Sequence, residues 1–125
     1  MRLPVVCPPA TLDLRLNLFN RQAAINGPTM YGPPNPALPN EEYWARLASV
    51  WGTSRAVAKT MRCGNCAFFD IRNQTLDCIA KGLGGSRADA YDSIRAGKLG
   101  YCKALQFKCA AARTCSAWVT GGPIR

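Results

Sequence analysis

The stretch RCGNCAFFD, residues 62–70, sets Cys63 and Cys66 three positions apart, just ahead of two phenylalanines, in a chain that contains no histidine. Thiols at that spacing serve a redox dithiol, a metal ion or an inorganic cluster, and the last two need further ligands. Cys78, Cys102, Cys109 and Cys115 follow in the same half of the chain, and Cys7 stands apart near the beginning. The segment from Cys63 to Cys115 is too short to bury a comfortable apolar core, so it needs a staple.

The missing imidazole removes whole classes of chemistry. Ser-His-Asp and Cys-His nucleophiles are excluded, as are zinc enzymes with histidine ligands and any imidazole acid or base near neutral pH. No acid-base pair stands out among the seven scattered carboxylates either, so the reading is that the chain is not an enzyme.

Several staples are open. A site of four thiolates satisfies tetrahedral zinc, although zinc ribbons usually supply a second close C-x2-C, whereas here the later cysteines run C-x6-C-x5-C. Disulfides are a further option. A thioredoxin-type dithiol is disfavoured because no βαβ pattern surrounds Cys63 and Cys66. An iron-sulfur cluster also takes four thiolates, from a cage wide enough for ligands scattered in sequence.

The segments CGNCAFF (63–69), GYC (100–102) and CSAW (115–118) resemble, in order and in neighbours, the cluster-binding segments of the high-potential iron-sulfur protein family. That resemblance covers about residues 61–119 and implies one [4Fe-4S] cluster, with Cys63, Cys66, Cys102 and Cys115 as its ligands. Cys78 and Cys109 match no ligand position, and either is an alternative third ligand. Phe68, Phe69, Tyr101, Phe107 and Trp118 lie close to the implied ligands and suit walls that keep water from a cluster, or an ordinary core. Tight turns at Gly64 and Gly100 are expected to aim backbone amides at its sulfurs.

Outward from this region the chain changes character. Residues 1–40 hold eight of the nine prolines and read as an extended arm, with one short strand where Leu12, Leu14, Leu16 and Leu18 alternate. The arm is more apolar than a solvated linker, which suggests that it lies on other protein subunits of an assembly. Residues 41–62 read as helical: Asn40 caps, Tyr43, Trp44, Leu47, Val50 and Trp51 recur near a period of 3.6, and Gly52 stops the helix. Ser54 or Thr53 then caps a second short helix. Within the cysteine-rich domain, residues 63–125, Ser86 caps a helix that runs to about Ala96 and stops at Gly97. The glycines of residues 82–85 lack the Lys and Ser/Thr of a phosphate loop.

The fold expected is therefore a small, irregular, loop-rich α+β domain stapled by a metal or cluster, with short helices and an extended proline-rich N-terminal arm. A net charge of +9 attracts polyanions, but the charges are scattered and form no nucleic-acid motif. No apolar run approaches the roughly 18 residues of a membrane span, and prolines and charges interrupt the start where a secretory signal needs an apolar core. A cytoplasmic chain with reduced thiols is the expectation. In overall character the chain also resembles small cysteine-rich proteins of tailed phages, which implies a virion component such as a capsid or tail accessory protein, assembled in the host cytoplasm. Three functions follow: a structural or interaction protein stabilised by the cluster, an electron carrier using the same cluster, or a zinc-stapled nucleic-acid binder.

Overall fold

A computed structural model describes residues 6–33 and 38–125. Six helices and a three-stranded antiparallel sheet make a small α+β fold: α1 (Pro9–Leu12), α2 (Leu14–Asn26), α3 (Glu41–Trp51), α4 (Arg55–Ala58), a 3-10 turn (Cys63–Asn65), β1 (Phe69–Asp70), α5 (Asn73–Leu83), α6 (Arg87–Gly97), β2 (Leu99–Cys102) and β3 (Phe107–Ala110). The sheet order is β1-β2-β3, with Phe69 opposite Cys102, Gly100 opposite Cys109, and Cys102 opposite Phe107.

The described part of the N-terminal segment is neither extended nor a strand, which corrects the expectation for residues 9–26. Pro9 occupies the first turn of α1, where its missing N–H leaves no bond unmade. Asp13 then caps α2, its side chain accepting from the Leu16 N–H at 3.2 Å. Alternating leucines promised a strand, but the face that α2 turns inward carries Asn17 and Ala24, seven residues apart, with Leu16 half-buried beside them. Asn17 Oδ1 accepts from the Lys108 N–H at 2.7 Å, and the Asn20 side chain donates to the Gln106 carbonyl at 2.7 Å. Two asparagines thus satisfy the open edge at β3, the task a fourth strand would have performed with its backbone.

Asn40 stands at the start of α3, but its amide donates to the Leu38 carbonyl at 2.8 Å rather than capping the helix. Trp44, Leu47 and Ala48 of α3 bury against Ala58 of α4, whose cap is Ser54. Gly52, at φ 64°, ends α3 in the left-handed conformation glycine adopts without strain. Helix α5 was not anticipated. It buries Thr75, Cys78, Ile79 and Ala80 and packs on α1 and α6; a Cβ on its Gly82 would stand 1.6 Å from the Thr11 carbonyl oxygen, so the close approach of α1 requires glycine. Helix α6 begins at Ser86 as expected and runs through Gly97, with Lys98 taking the left-handed position.

One covalent link overturns the expectation of uniformly reduced thiols: Cys7 and Cys78 form a disulfide that ties the segment before α1 to α5. The α2–α3 connection also returns to the core, where Gly32 and Thr114 exchange backbone bonds of 3.1 and 2.8 Å and Tyr31 is buried. The segment expected to reach a neighbour is, over these residues, packed on its own chain.

The second residue of β1, Asp70, is 2 % exposed. Its carboxylate accepts from Arg72 Nη2 at 2.7 Å, Arg72 Nε at 3.1 Å and Thr75 Oγ1 at 2.9 Å. Burial acts to raise the Asp70 pKa, but these bonds outweigh it and hold the group below its ordinary value. Replacing Asp70 with Asn should lower stability at pH 7 by about 1–3 kcal/mol, measured by urea unfolding. A depressed carboxylate contributes fully above its unfolded value, so the wild-type advantage should persist above about pH 4 and fade as the pH falls through the lower native value.

Candidate cluster site

Five free thiols, Cys63, Cys66, Cys102, Cys109 and Cys115, are buried and line one cavity, together with Tyr31, Phe68, Phe69, Leu105, Thr114 and Trp118. The four ligands expected from sequence are therefore brought together, and Cys109 joins them. Cys78, the other alternative, is committed to its disulfide on another face of the molecule.

Each thiol arrives by a different local device. Cys63 and Cys66 are fixed by the 3-10 turn: the Cys63 N–H donates to the Arg113 carbonyl at 2.6 Å, and the Cys66 N–H donates back to the Cys63 carbonyl at 2.9 Å. Asn65 locks that turn, its Oδ1 accepting from the Arg62 N–H at 3.0 Å and from Trp118 Nε1 at 2.9 Å. Cys102 and Cys109 come from the sheet. The register sets Phe69, Cys102, Phe107 and Cys109 on one face, because side chains alternate along a strand and Cys109 lies opposite Gly100. A Cβ on Gly100 would stand 2.5 Å from the Phe69 ring, so glycine there makes the seat for that aromatic. Cys115 follows Thr114, which is held by the Gly32 backbone.

The aromatic wall differs from the expected one at a single place. Phe68, Phe69 and Trp118 line the cavity, and Phe107, fully buried, backs it by an edge contact with Tyr31 at 4.8 Å. Tyr101 faces away, into the cluster of Ala10, Ile79, Ala90 and Ile94, because it precedes Cys102 in a strand and so points to the opposite side. Tyr31 takes its place, a residue sequence reading left in the arm; an aromatic just before the Gly32-Pro33 turn was the only available signal.

Backbone amides do point at sulfur, though not from Gly64 or Gly100. The Gly64 N–H donates to the Ala111 carbonyl, and Gly100 sits inside β2 rather than in a turn. Instead the Phe68 N–H donates to Cys66 Sγ at 3.5 Å, and the Leu105 N–H donates to Cys102 Sγ at 3.3 Å. These donors lie two or three residues beyond their cysteines, where a tight turn swings the amide back over the side chain. Such bonds stabilise sulfur that bears negative charge.

The thiols differ in acidity. Cys102 is lowered to about 7, chiefly by the neighbouring Cys109 thiol, with burial opposing and backbone amides assisting. Cys115 is raised to about 12, mainly by burial, which outweighs its amide. Cys109 is raised by the neighbouring thiols of Cys102 and Cys63 and by burial. Tyr31 is raised by burial and then by the neighbouring Cys109 and Cys63.

Two features bear on what the site can hold. The donors are all sulfur, and the free space between them is about 10 Å³, room for at most one water. In addition, Thr114 Oγ1 is fully buried at this cavity and has no hydrogen-bond partner. Among the described residues no group of three or more ligating side chains is arranged to hold a single metal ion. One tetrahedral zinc requires four sulfurs about 2.3 Å from a common point, whereas a four-iron core offers a separate attachment point to each thiolate.

Compared with protein-family models, with curated proteins and with solved structures, the chain matches none. Its function has to be argued from this site.

The connectivity has a direct check. Unfolded without reductant, the protein should expose five alkylatable thiols, and after reduction seven, with the difference mapped by mass spectrometry to Cys7 and Cys78. In the native state the five should react far more slowly than a free cysteine, because each is at most 8 % exposed.

Proposed function

We propose that the chain is an iron-sulfur protein in which Cys63, Cys66, Cys102 and Cys115 hold a [4Fe-4S] cluster that carries one electron and also completes the core. The observation behind this reading is the convergence of buried thiols on a single apolar cavity, with amide donors on two of the four proposed ligands. Those four are 7–8 % exposed while Cys109, which lines the same cavity, is 2 % exposed. When bound, the cluster supplies the redox chemistry; the chain supplies ligands, amide donors and a wall that excludes water.

Electron transfer stands ahead of the virion reading for a physical reason. The strongest argument for attachment to neighbouring subunits was an extended arm, and residues 9–33 are instead folded onto their own sheet and helices. The Cys7–Cys78 disulfide favours an oxidising compartment over a reducing cytoplasm. One observation favours the interaction protein as a second reading: Leu12, Leu14, Leu18 and Phe19 are 52–72 % exposed on α1 and α2, more apolar surface than a solitary carrier needs. The zinc-stapled nucleic-acid binder has only the net charge in its favour.

Anaerobically purified protein should contain about four irons and four sulfides per chain, with a broad visible absorption, and should show a reversible one-electron wave while staying folded in both states. Zinc without sulfide would overturn the proposal. A cluster that cannot be reduced or oxidised without unfolding, in a protein that self-associates through the α2 face, would favour the second reading. Thr114→Val removes the unpartnered hydroxyl at the cavity. Because donors to cluster sulfur stabilise the more negative reduced state, it should lower the reduction potential without loss of iron, and Thr114→Ser should restore it.

A further inference from the structure

Of the seven cysteines, six are buried, at most 8 % exposed, and only Cys7 is half-buried. The disulfide it makes with Cys78 therefore has one sulfur open to solutes and one enclosed. That bridge forms part of the wall of an open cavity of about 360 Å³, bordered also by Gln74, Asp77 and Lys81 of α5 and by Arg87 of α6. A second cavity, of about 220 Å³, borders Cys78 together with Asp70, Arg72 and Lys103. Charge is unbalanced at both. Asp70 is taken up by Arg72 at 2.7 Å and Asp77 by Arg87 at 2.9 Å, while Lys81 and Lys103 make no ion pair among the described residues. Each cavity thus has a surplus positive charge beside the bridge, and the larger one is of a size that admits a small organic molecule.

We propose that the Cys7–Cys78 bridge is a thiol–disulfide exchange site whose substrate is a small thiol carrying carboxylate groups. The substrate thiolate enters the larger cavity with its carboxylates facing Lys81 and Arg87, and it attacks Cys7 Sγ because that is the exposed sulfur. The bond between Cys7 and Cys78 breaks, a bond from Cys7 to the incoming sulfur forms, and the electron pair of the broken bond leaves on Cys78. The proton that the substrate gave up to water ends on the Cys78 thiolate. One disulfide is consumed and one is formed, so no other oxidant or reductant takes part. Cys78 is released beside Arg72 and Lys103, whose positive charge stabilises a departing thiolate.

The product carries the small thiol on Cys7, and the segment before α1 is untied from α5. Helix α1 keeps its own seat, because Ala10 and Thr11 are buried and the Thr11 carbonyl lies close against Gly82. Attack of the Cys78 thiolate on the mixed disulfide closes the bridge again and expels the small thiol. The exchange uses none of the five free thiols, so it is independent of any cluster.

The test treats the native full-length protein, anaerobically and at low salt, with mercaptosuccinate, mercaptoethanol or cysteamine, which are anionic, neutral and cationic thiols. Each rate is divided by that of the same thiol on a small uncharged disulfide, which removes intrinsic differences in nucleophilicity. Samples are quenched with an alkylating agent in denaturant and mapped by mass spectrometry. Mercaptosuccinate should react on the order of tenfold faster than cysteamine, with the adduct on Cys7 and the alkyl group on Cys78, and added salt should shrink that ratio. Lys81→Gln should reduce the preference to less than about threefold and Lys81→Arg should keep it, with circular dichroism showing both variants folded. Equal rates for the three thiols, a faster reaction with cysteamine, an adduct on Cys78, or a bridge that opens only when the protein unfolds would each overturn the proposal.

Discussion

The structure depends on the cost of burying sulfur that wants to be charged. Five thiols are enclosed by Tyr31, Phe69, Phe107 and Trp118, in surroundings that oppose ionisation, as the raised Cys115 shows. The backbone nonetheless turns two amides back onto two of those sulfurs, Cys66 and Cys102. Under the proposed reading, thiolates bound to iron would share their charge with it.

Around this centre the other elements act as a frame. The 3-10 turn is tied to the segment carrying Arg113, the end of the chain returns beside β1 with the Ile124 N–H donating to the Phe69 carbonyl at 2.7 Å, and Trp118 clasps the turn through Arg62 and Asn65. Each tie crosses a long sequence separation, so the thiols are held by the tertiary structure rather than by one loop. Placing proposed ligands on rigid strands and pinned turns favours a site that changes little on gaining an electron.

A second core forms on the opposite face of the sheet, where Tyr101 meets Ala10, Ile79, Ala90 and Ile94. Strand alternation divides the labour: one side of β2 and β3 serves sulfur, the other anchors α1, α5 and α6. The disulfide from Cys7 to Cys78 belongs to this second side, so two uses of cysteine coexist in one chain, a covalent tie far from the cavity and a thiol cage inside it.

The sequence by itself determined the local devices. The C-x2-C turn, the Ser54 and Ser86 caps, the Gly52 stop and the gathering of Cys63, Cys66, Cys102 and Cys115 at one cavity, with Cys109 among them, were legible, because each rests on a short spacing or on neighbours that repeat a recognisable pattern. What only the tertiary structure decided depends on partners distant in the chain. Alternating leucines look like a strand until Asn17 and Asn20 find the edge at β3, and the prolines at 8 and 9 look like a break until they begin a helix. Tyr101 and Tyr31 exchange places at the cavity because register, which no local pattern fixes, assigns the faces. Cys78 and Cys109 looked alike in sequence; position in three dimensions gave one a covalent partner and the other a place beneath the site.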